Sequence, residues 1–171
     1  MTTYINIFGG PGIGKSTTAA SLFADMKKQE IKVELVTEVA KDFVWENRME
    51  TLAIQPYVTM KQYRNLIRLK GKIDFVITDA PILFGILYAN KFALDLPESY
   101  HQFVKDCHSK IISPSINILL ERTYDYDIAG RYQSVDEAIV LDGEIEAILD
   151  ENLVDYIKIS PEKVSYEMII G

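Results

Sequence analysis

Short apolar segments recur along the chain, separated by longer segments of mixed apolar and polar residues. The apolar segments are Tyr4–Phe8, Lys32–Thr37, Asp74–Thr78, Ser115–Leu120 and Val154–Ile159. Three contain nearly unbroken apolar runs (FVIT, INILL, and YIKI with its flanks), which is typical of strands covered by helices on both faces. Strands that alternate with helices predict an α/β fold with a parallel sheet, in which ligands bind beyond the carboxyl ends of the strands.

Two of the intervening segments show helical periodicity. Thr17–Lys28 follows the first predicted strand and is predicted to be a helix. Near the C-terminus, Ser134 and Glu137 form a capping box. After it, apolar core positions follow at helical spacing: Ala138, Leu141, Ile145 and Ile148. Because there is no internal repeat and no low-complexity linker, we expect residues 1–171 to form a single domain.

Composition limits the classes of partner. Apolar residues make up 48% of the chain and charged residues 25%, which is ordinary for a globular protein. The net charge of −7 gives no general attraction to DNA or to an anionic membrane, although a local basic patch could still bind nucleic acid. The single cysteine, Cys107, cannot form an internal disulfide. With no signal peptide or apolar anchor in the N-terminal sequence, a cytoplasmic protein with no membrane partner is expected. The pattern indicates no oligomeric state.

The most specific motif directly follows the first predicted strand. Residues 9–16, GGPGIGKS, fit G-x-x-x-x-G-K-[ST], a loop whose backbone N–H groups surround a phosphate chain at a helix N-terminus. A glycine-rich turn without a ligand is the less specific alternative. Lys15 is predicted to reach the β- and γ-phosphates of ATP, and Ser16 to ligate Mg²⁺. The predicted nucleotide-binding residues are Gly10, Gly12, Ile13, Gly14, Lys15, Ser16 and Thr17.

Acidic residues follow two further strands. Asp79 ends the apolar run FVIT, where a carboxylate beside the loop lysine can hold Mg²⁺ directly or through water, so Ser16 and Asp79 are the predicted metal ligands. Glu38 comes after the second strand and is predicted to orient or deprotonate an attacking hydroxyl. The alternative for Glu38 is an acid that only interacts with a helix dipole.

A polar segment follows the fourth strand. Residues 121–134, ERTYDYDIAGRYQS, contain Arg122 and Arg131, which are predicted to stabilise charge on the transferred phosphoryl group. A glycine-containing segment between a strand and a capped helix predicts a mobile lid over residues 122–133. The alternative is a solvated loop in which the arginines pair with Asp125 and Asp127.

The segment 47–72 between the second and third strands carries the candidate acceptor site. Gln55 and Gln62 share one helical face if Pro56 lies in the first turn, and Arg68 belongs to a basic cluster with Lys61, Arg64, Lys70 and Lys72. A glutamine can bind a base edge, and an arginine can bind an acceptor phosphate. Glu38, Gln55, Gln62 and Arg68 are the predicted acceptor-binding residues, with a solvated helix face as the alternative.

Four segments together resemble one family of small P-loop kinases, many of them phage-encoded, that includes the nicotinamide riboside kinase domain of the bacterial NAD regulator. The segments are residues 7–29, 33–46, 72–83 and 121–138. The resemblance implies a phage-type member with sheet order 2-3-1-4-5 and ATP and Mg²⁺ at Lys15 and Ser16. The acids at the ends of the second and third strands resemble Glu38 and Asp79, and the lid pattern R-x-x-x-Y-x-x-x-G-R falls on Arg122, Tyr126, Gly130 and Arg131.

These observations favour an ATP-dependent kinase that phosphorylates a nucleoside- or nucleotide-type acceptor. The resemblance also implies hydroxymethylated bases in DNA as an acceptor class, and nicotinamide riboside as an alternative. No adenylyltransferase domain accompanies the motifs, so a role in NAD metabolism is not implied. An ATPase switch that acts with a protein partner and a binding module without chemistry are the other hypotheses; the arginines present within the chain, together with Lys15, Ser16 and Asp79, argue against both.

Overall fold

A parallel β-sheet forms the centre of this computed structural model, which describes residues 1–92, 94–122 and 135–171. The strands are β1 (Thr3–Phe8), β2 (Val33–Val36), β3 (Phe75–Thr78), β4 (Ser115–Leu120) and β5 (Ile157–Ile159). All five pair in parallel, in the order β2-β3-β1-β4-β5. The five predicted strands and the predicted sheet order are therefore confirmed.

Helices cover both faces of this sheet. They are α1 (Lys15–Lys28), α2 (Val39–Trp45), α3 (Met49–Ala53), α4 (Gln55–Ile67), α5 (Phe84–Lys91), α6 (Glu98–Asp106), α7 (Val135–Glu151) and α8 (Glu167–Ile170). A π-helical turn, Cys107–Ile111, and a 3₁₀ turn, Pro161–Lys163, complete the regular structure. Within the described residues, no helix is long and apolar enough to cross a membrane.

Two apolar clusters separate the sheet from its helices. Ile5 and Ile7 of β1 pack with Leu22 and Met26 of α1 on one face. Because side chains alternate along a strand, Tyr4 and Phe8 point to the other face and pack in a second cluster. The members of that second cluster contributed by α4, α5 and α7 include Leu66, Ile86, Leu87, Leu141, Ile145 and Leu149. The predicted α/β fold, a parallel sheet covered by helices on both faces, is thus confirmed.

The predicted core positions of α7 are also apolar contacts in the structure. Ala138, Leu141 and Ile145 are buried, and Ile148 packs partly buried against the same cluster. Ser134 of the predicted capping box lies outside the described residues, as does most of the predicted lid.

Three strands are shorter than the sequence pattern indicates, β3 by only its first residue. β2 ends at Val36, and β5 begins at Ile157 although the apolar run starts at Val154. The Val154 N–H donates to the Leu149 carbonyl at 3.0 Å, so Val154 still belongs to the turn that ends α7. The register brings the carboxyl ends of β1, β2 and β3 together at one edge of the sheet, with Asn6 and Val36 both beside Thr78.

Candidate functional site

The glycine-rich segment 9–16, here called the P-loop, connects β1 to α1. Gly14 has φ of 101° and occupies the N-cap position of α1, and Gly12 has φ of 78°. These left-handed conformations favour glycine, since a Cβ would strain the backbone there. The chain therefore turns directly from the strand into a helix whose N-terminus faces the P-loop, which is the local geometry that binds phosphate.

The ammonium group of Lys15 lies back on the P-loop. Its Nζ donates to the Gly10 carbonyl at 2.8 Å and lies 5.8 Å from the centre of the Phe84 ring. Burial lowers the pKa of Lys15 to about 8, while the nearby Glu38 and Asp79 carboxylates act in the opposite direction. A cation held in this partly dehydrated position interacts more strongly with an anion than it would in bulk water.

Oxygen ligands for a metal lie beside the P-loop. Ser16 Oγ donates to Asp79 Oδ2 at 2.6 Å, and Asp79 is 1% exposed. The other carboxylate oxygen, Asp79 Oδ1, is buried without a hydrogen-bond partner among the described residues. The Lys41 Nζ donates to Ser16 Oγ at 2.6 Å and lies 3.6 Å from Asp79 Oδ2, so a cation already bridges these two oxygens.

This arrangement fits Mg²⁺. A hydroxyl and a carboxylate are the hard oxygen ligands that Mg²⁺ binds, usually together with substrate phosphates and water. No cluster of three or more His, Cys, Asp or Glu residues that could hold a metal was found in the described part of the chain. Ser16 and Asp79 would therefore hold the ion together with a nucleotide, where it would neutralise phosphate charge.

A pocket of about 550 Å³ extends from the P-loop to the helices that follow β2 and β3. Its P-loop end contains Gly12, Gly14, Lys15, Ser16 and Thr17. Lys41 and Phe84 line the pocket next to Ser16 and Lys15, and the rest of the lining comes from residues of α2, α4 and α5 and their flanks, including Glu38, Val58, Tyr88, Lys91 and Phe92. The pocket is thus continuous between a phosphate-binding end and a more apolar end that contains aromatic rings.

Glu38 lies in this pocket at the N-cap position of α2. The Glu38 side chain makes no capping hydrogen bond there, and the residue is half-buried. Burial raises the pKa of Glu38, and the positive charges of Lys15 and Lys41 oppose that rise. Glu38 thus lines the pocket near two positive charges without a capping bond of its own.

The two predicted acceptor glutamines also line the pocket, and Pro56 lies in the first turn of α4 as the prediction requires. The Gln62 amide already has two partners: its Oε1 accepts from the Val39 N–H at 3.2 Å, and its Nε2 donates to Thr78 Oγ1 at 3.3 Å. Gln55 Nε2 donates to the Leu52 carbonyl at 2.8 Å. Both glutamines therefore fix the pocket wall.

Arg68 does not reach the pocket. It is exposed at the C-terminal end of α4, and its Nε donates to the Asn65 carbonyl at 3.3 Å. Gln55 and Gln62 lie in the part of α4 that lines the pocket, whereas the helix rises about 9 Å over the six residues from Gln62 to Arg68. The placement of Arg68 in the acceptor site is therefore corrected to an exposed helix end.

The remaining predicted residues lie either away from the pocket lining or outside the described residues. The Ile13 side chain is buried in the cluster beneath α1, so only its backbone can face a ligand, and Gly10 lies on the side of the P-loop that contacts α7. Tyr126, Gly130 and Arg131 lie outside the described residues.

Comparison with known proteins gives a family and a fold for this chain. A family model described as an AAA domain matches residues 4–167. The chain belongs to this AAA-domain family. No protein of curated function matches the sequence.

Two solved structures of deoxyadenosine kinase from M. mycoides resemble this AAA-domain chain in fold. The structure with dCMP and a flexible dCDP bound has a TM-score of 0.54 at 16% identity over 98% of this chain and 96% of that one. The structure with bound dATP has a TM-score of 0.56 at 18% identity over 98% and 97%.

Sequence reasoning missed two residues of the AAA-domain site, Lys41 and Asp142. Lys41 lies one helical turn after Glu38, and that spacing could have indicated that the two side chains lie on the same face of the helix. Asp142 follows Ala138 by four residues and precedes Ile145 by three, so it interrupts the apolar stripe of α7. A carboxylate on an otherwise apolar helix face was the available signal.

Replacing Lys41 with methionine should change how the protein responds to Mg²⁺. Without the ammonium, Asp79 and Ser16 lack the bridging cation, so the metal-free variant should have a lower melting temperature and should gain more from added Mg²⁺ than the wild type. Thermal denaturation over a Mg²⁺ titration measures this. Lys61→Met is the matched control, since Lys61 lies over the rings of Phe43 and Tyr57. Equal Mg²⁺-induced shifts in Lys41→Met and the wild type would contradict the bridging role.

Proposed function

We propose that this protein is an ATP-dependent kinase that transfers the γ-phosphoryl group to a nucleoside- or nucleotide-type acceptor. One observation carries the proposal: the Glu38 carboxylate faces the same pocket as Lys15 and Ser16, with no capping bond of its own. A carboxylate in this pocket can orient an attacking oxygen, which is water in an ATPase and the acceptor hydroxyl in a kinase, so acceptor-dependent turnover distinguishes the two.

Each residue then has a distinct task in phosphoryl transfer. The P-loop N–H groups and Lys15 bind the phosphates and oppose the charge that develops on them. Ser16 and Asp79 would hold Mg²⁺. Glu38 accepts the proton of the acceptor hydroxyl as its oxygen bonds to the γ-phosphorus and ADP leaves, and Lys41 contacts the metal-side oxygens of Ser16 and Asp79. Positioning supplies most of the rate in such a reaction.

The wall around Glu38 supports a planar, weakly polar acceptor. Tyr88 and Phe92 line the pocket together with Phe84 and aliphatic side chains, and a nucleobase stacks favourably on such surfaces. The nucleotides bound in the structurally similar deoxyadenosine kinase support the same acceptor class.

We propose that the protein acts in the cytoplasm, or in the host cytoplasm if it is phage-encoded.

Incubation with γ-labelled ATP, Mg²⁺ and a panel of acceptors tests the proposal. The panel contains nucleosides, nucleoside monophosphates, nicotinamide riboside and DNA with hydroxymethylated bases. We expect label on one class, and we expect hydrolysis without acceptor to be slow because a kinase must exclude water from the γ-phosphate. Release of labelled phosphate that is independent of every acceptor, and that increases with a protein partner, would favour an ATPase switch and overturn the proposal.

A further inference from the structure

The side of the P-loop that faces away from the pocket is held by a carboxylate on α7. Asp142 Oδ1 accepts a hydrogen bond from the Gly10 N–H at 2.7 Å, and its Oδ2 accepts from Arg122 Nε at 2.7 Å. Arg122 Nη2 in turn donates to the Pro11 carbonyl at 3.0 Å. One ion pair therefore binds two consecutive residues of the P-loop, through an N–H of one and a carbonyl of the other.

The packing around this ion pair is close. A Cβ on Gly10 would lie 2.3 Å from Asp142 Oδ1 and 3.1 Å from the Ala138 carbonyl, so only glycine allows α7 to approach the P-loop this far. The side chains of Arg122 and Asp142 are 15% and 24% exposed. Charge-assisted hydrogen bonds with limited access to water are the stronger kind, and they hold their partners in one geometry.

The ion pair also connects to the phosphate-binding lysine. The Gly10 N–H donates to Asp142, and the carbonyl of the same residue accepts from Lys15 Nζ at 2.8 Å. Pro11, Gly12 and residues 14–17 line the pocket, whereas Gly10 does not. Asp142 therefore fixes the loop from behind and leaves the phosphate-binding N–H groups accessible.

We propose that Asp142 is a positioning residue for nucleotide binding, which acts with Arg122 to hold the P-loop in the conformation that receives a triphosphate. The inference deepens the proposed function because it rests on ATP binding at the P-loop, but it needs no particular acceptor. It also gives Arg122 a positioning role in place of the catalytic role expected from the sequence.

Binding of Mg–ATP to Asp142 variants tests the proposal. In calorimetric titrations, Asp142→Ala should raise the Kd for Mg–ATP roughly tenfold to a hundredfold, the range expected for losing hydrogen bonds to a charged group. Asp142→Asn should raise it less, since an amide oxygen can still accept from Gly10. Arg122→Ala should also raise the Kd for Mg–ATP. Because the two residues act as a unit, the variant with both Asp142→Ala and Arg122→Ala should have a Kd close to that of whichever single variant binds Mg–ATP less tightly.

A second measurement reports the stability of the P-loop conformation in the absence of nucleotide. Amide hydrogen exchange of residues 9–16 should become faster in Asp142→Ala and Asp142→Asn than in the wild type, while exchange in β3 stays unchanged. If Asp142→Ala does not fold, the Asn variant supplies both measurements.

Two substitutions on the same helix are controls. Glu144→Gln removes an exposed carboxylate from α7 and should leave the Kd for Mg–ATP unchanged. Ile145→Ala opens the buried core beneath α7, so it should lower the melting temperature without weakening Mg–ATP binding below that temperature. A merely structural role for Asp142 would make its variants behave like Ile145→Ala.

Unchanged or tighter Mg–ATP binding by Asp142→Ala, or unchanged loop exchange, would overturn the inference while leaving the kinase proposal intact. If the wild type binds Mg–ATP but phosphorylates no acceptor class, the kinase proposal fails and the inference is still decided by the Kd values. A wild type that does not bind Mg–ATP would contradict both.

Discussion

Replacing Lys15 with alanine should abolish measurable phosphoryl transfer while leaving the protein folded. The Lys15 ammonium lies in the pocket between the Gly10 carbonyl and the Glu38 and Asp79 carboxylates, where a γ-phosphate would meet it. Charge that develops on the transferred group would lose its fixed positive partner, so the rate should fall by about 10³-fold or more. Stability should change little, because burial opposes the charged form of Lys15 in the folded state.

Single-turnover transfer to the identified acceptor, with circular dichroism and a melting curve on the same sample, measures both parts of this prediction. Lys28→Ala is the matched control, since Lys28 ends the same helix and its side chain is 72% exposed. Its rate should equal that of the wild type. Wild-type transfer by a folded Lys15→Ala protein would show that the P-loop does not serve phosphoryl transfer.

The fold could be predicted from the sequence because its signals are local and repeated. Each apolar run identifies one strand by itself, and the P-loop motif fixes β1, its turn and α1 together. The positions of Glu38 and Asp79 followed from the same pattern, since parallel strands bring their carboxyl ends to one edge. Their placement in one region needed no knowledge of distant contacts.

The contacts made by long side chains could not be predicted in this way. Lys41 reaches Ser16 across 25 residues of sequence, and Asp142 reaches Gly10 across 132. Such pairings depend on how α2 and α7 pack on the sheet, and local periodicity does not encode that packing. Arg68 is the opposite case, a contact that was predicted and is not present. The cluster of basic residues in segment 47–72 suggested that Arg68 binds the acceptor, whereas its position at the end of α4 places it beyond the pocket.

The predicted role of Arg131 stays a prediction of the sequence pattern. Arg122 differs, because its contacts with Asp142 and Pro11 lie within the described residues and place it behind the P-loop. If transfer also needs a positive charge that arrives with the nucleotide, Arg131 is the remaining sequence candidate. Arg131→Ala kinetics, compared with those of Arg122→Ala, would separate a transition-state role from loop positioning.

Replacing Glu38 with glutamine should lower the transfer rate by about 10²- to 10⁴-fold, the usual contribution of a general base, while the Kd for Mg–ATP changes little. The amide keeps the size of the side chain but cannot accept the acceptor proton. Asp79→Asn is the informative comparison, because Asp79 accepts from Ser16 at 2.6 Å on the metal side of the site. That variant should weaken Mg²⁺ dependence and ATP retention together. If both variants lose ATP affinity equally, the acceptor-side role of Glu38 is wrong.

The pH dependence of transfer gives Glu38 a second, independent signature. Glu38 must be ionised to act as a base, and burial raises its pKa above the usual range of a glutamate even though Lys15 and Lys41 face it. The groups around it are Lys15 from α1, Lys41 from α2, Asp79 after β3 and Tyr88 from α5. The rate should therefore fall with decreasing pH, with a midpoint above that of an exposed glutamate, and Glu38→Gln should lack this decline at a uniformly low rate. An unchanged acid limb in Glu38→Gln would assign the base to another group.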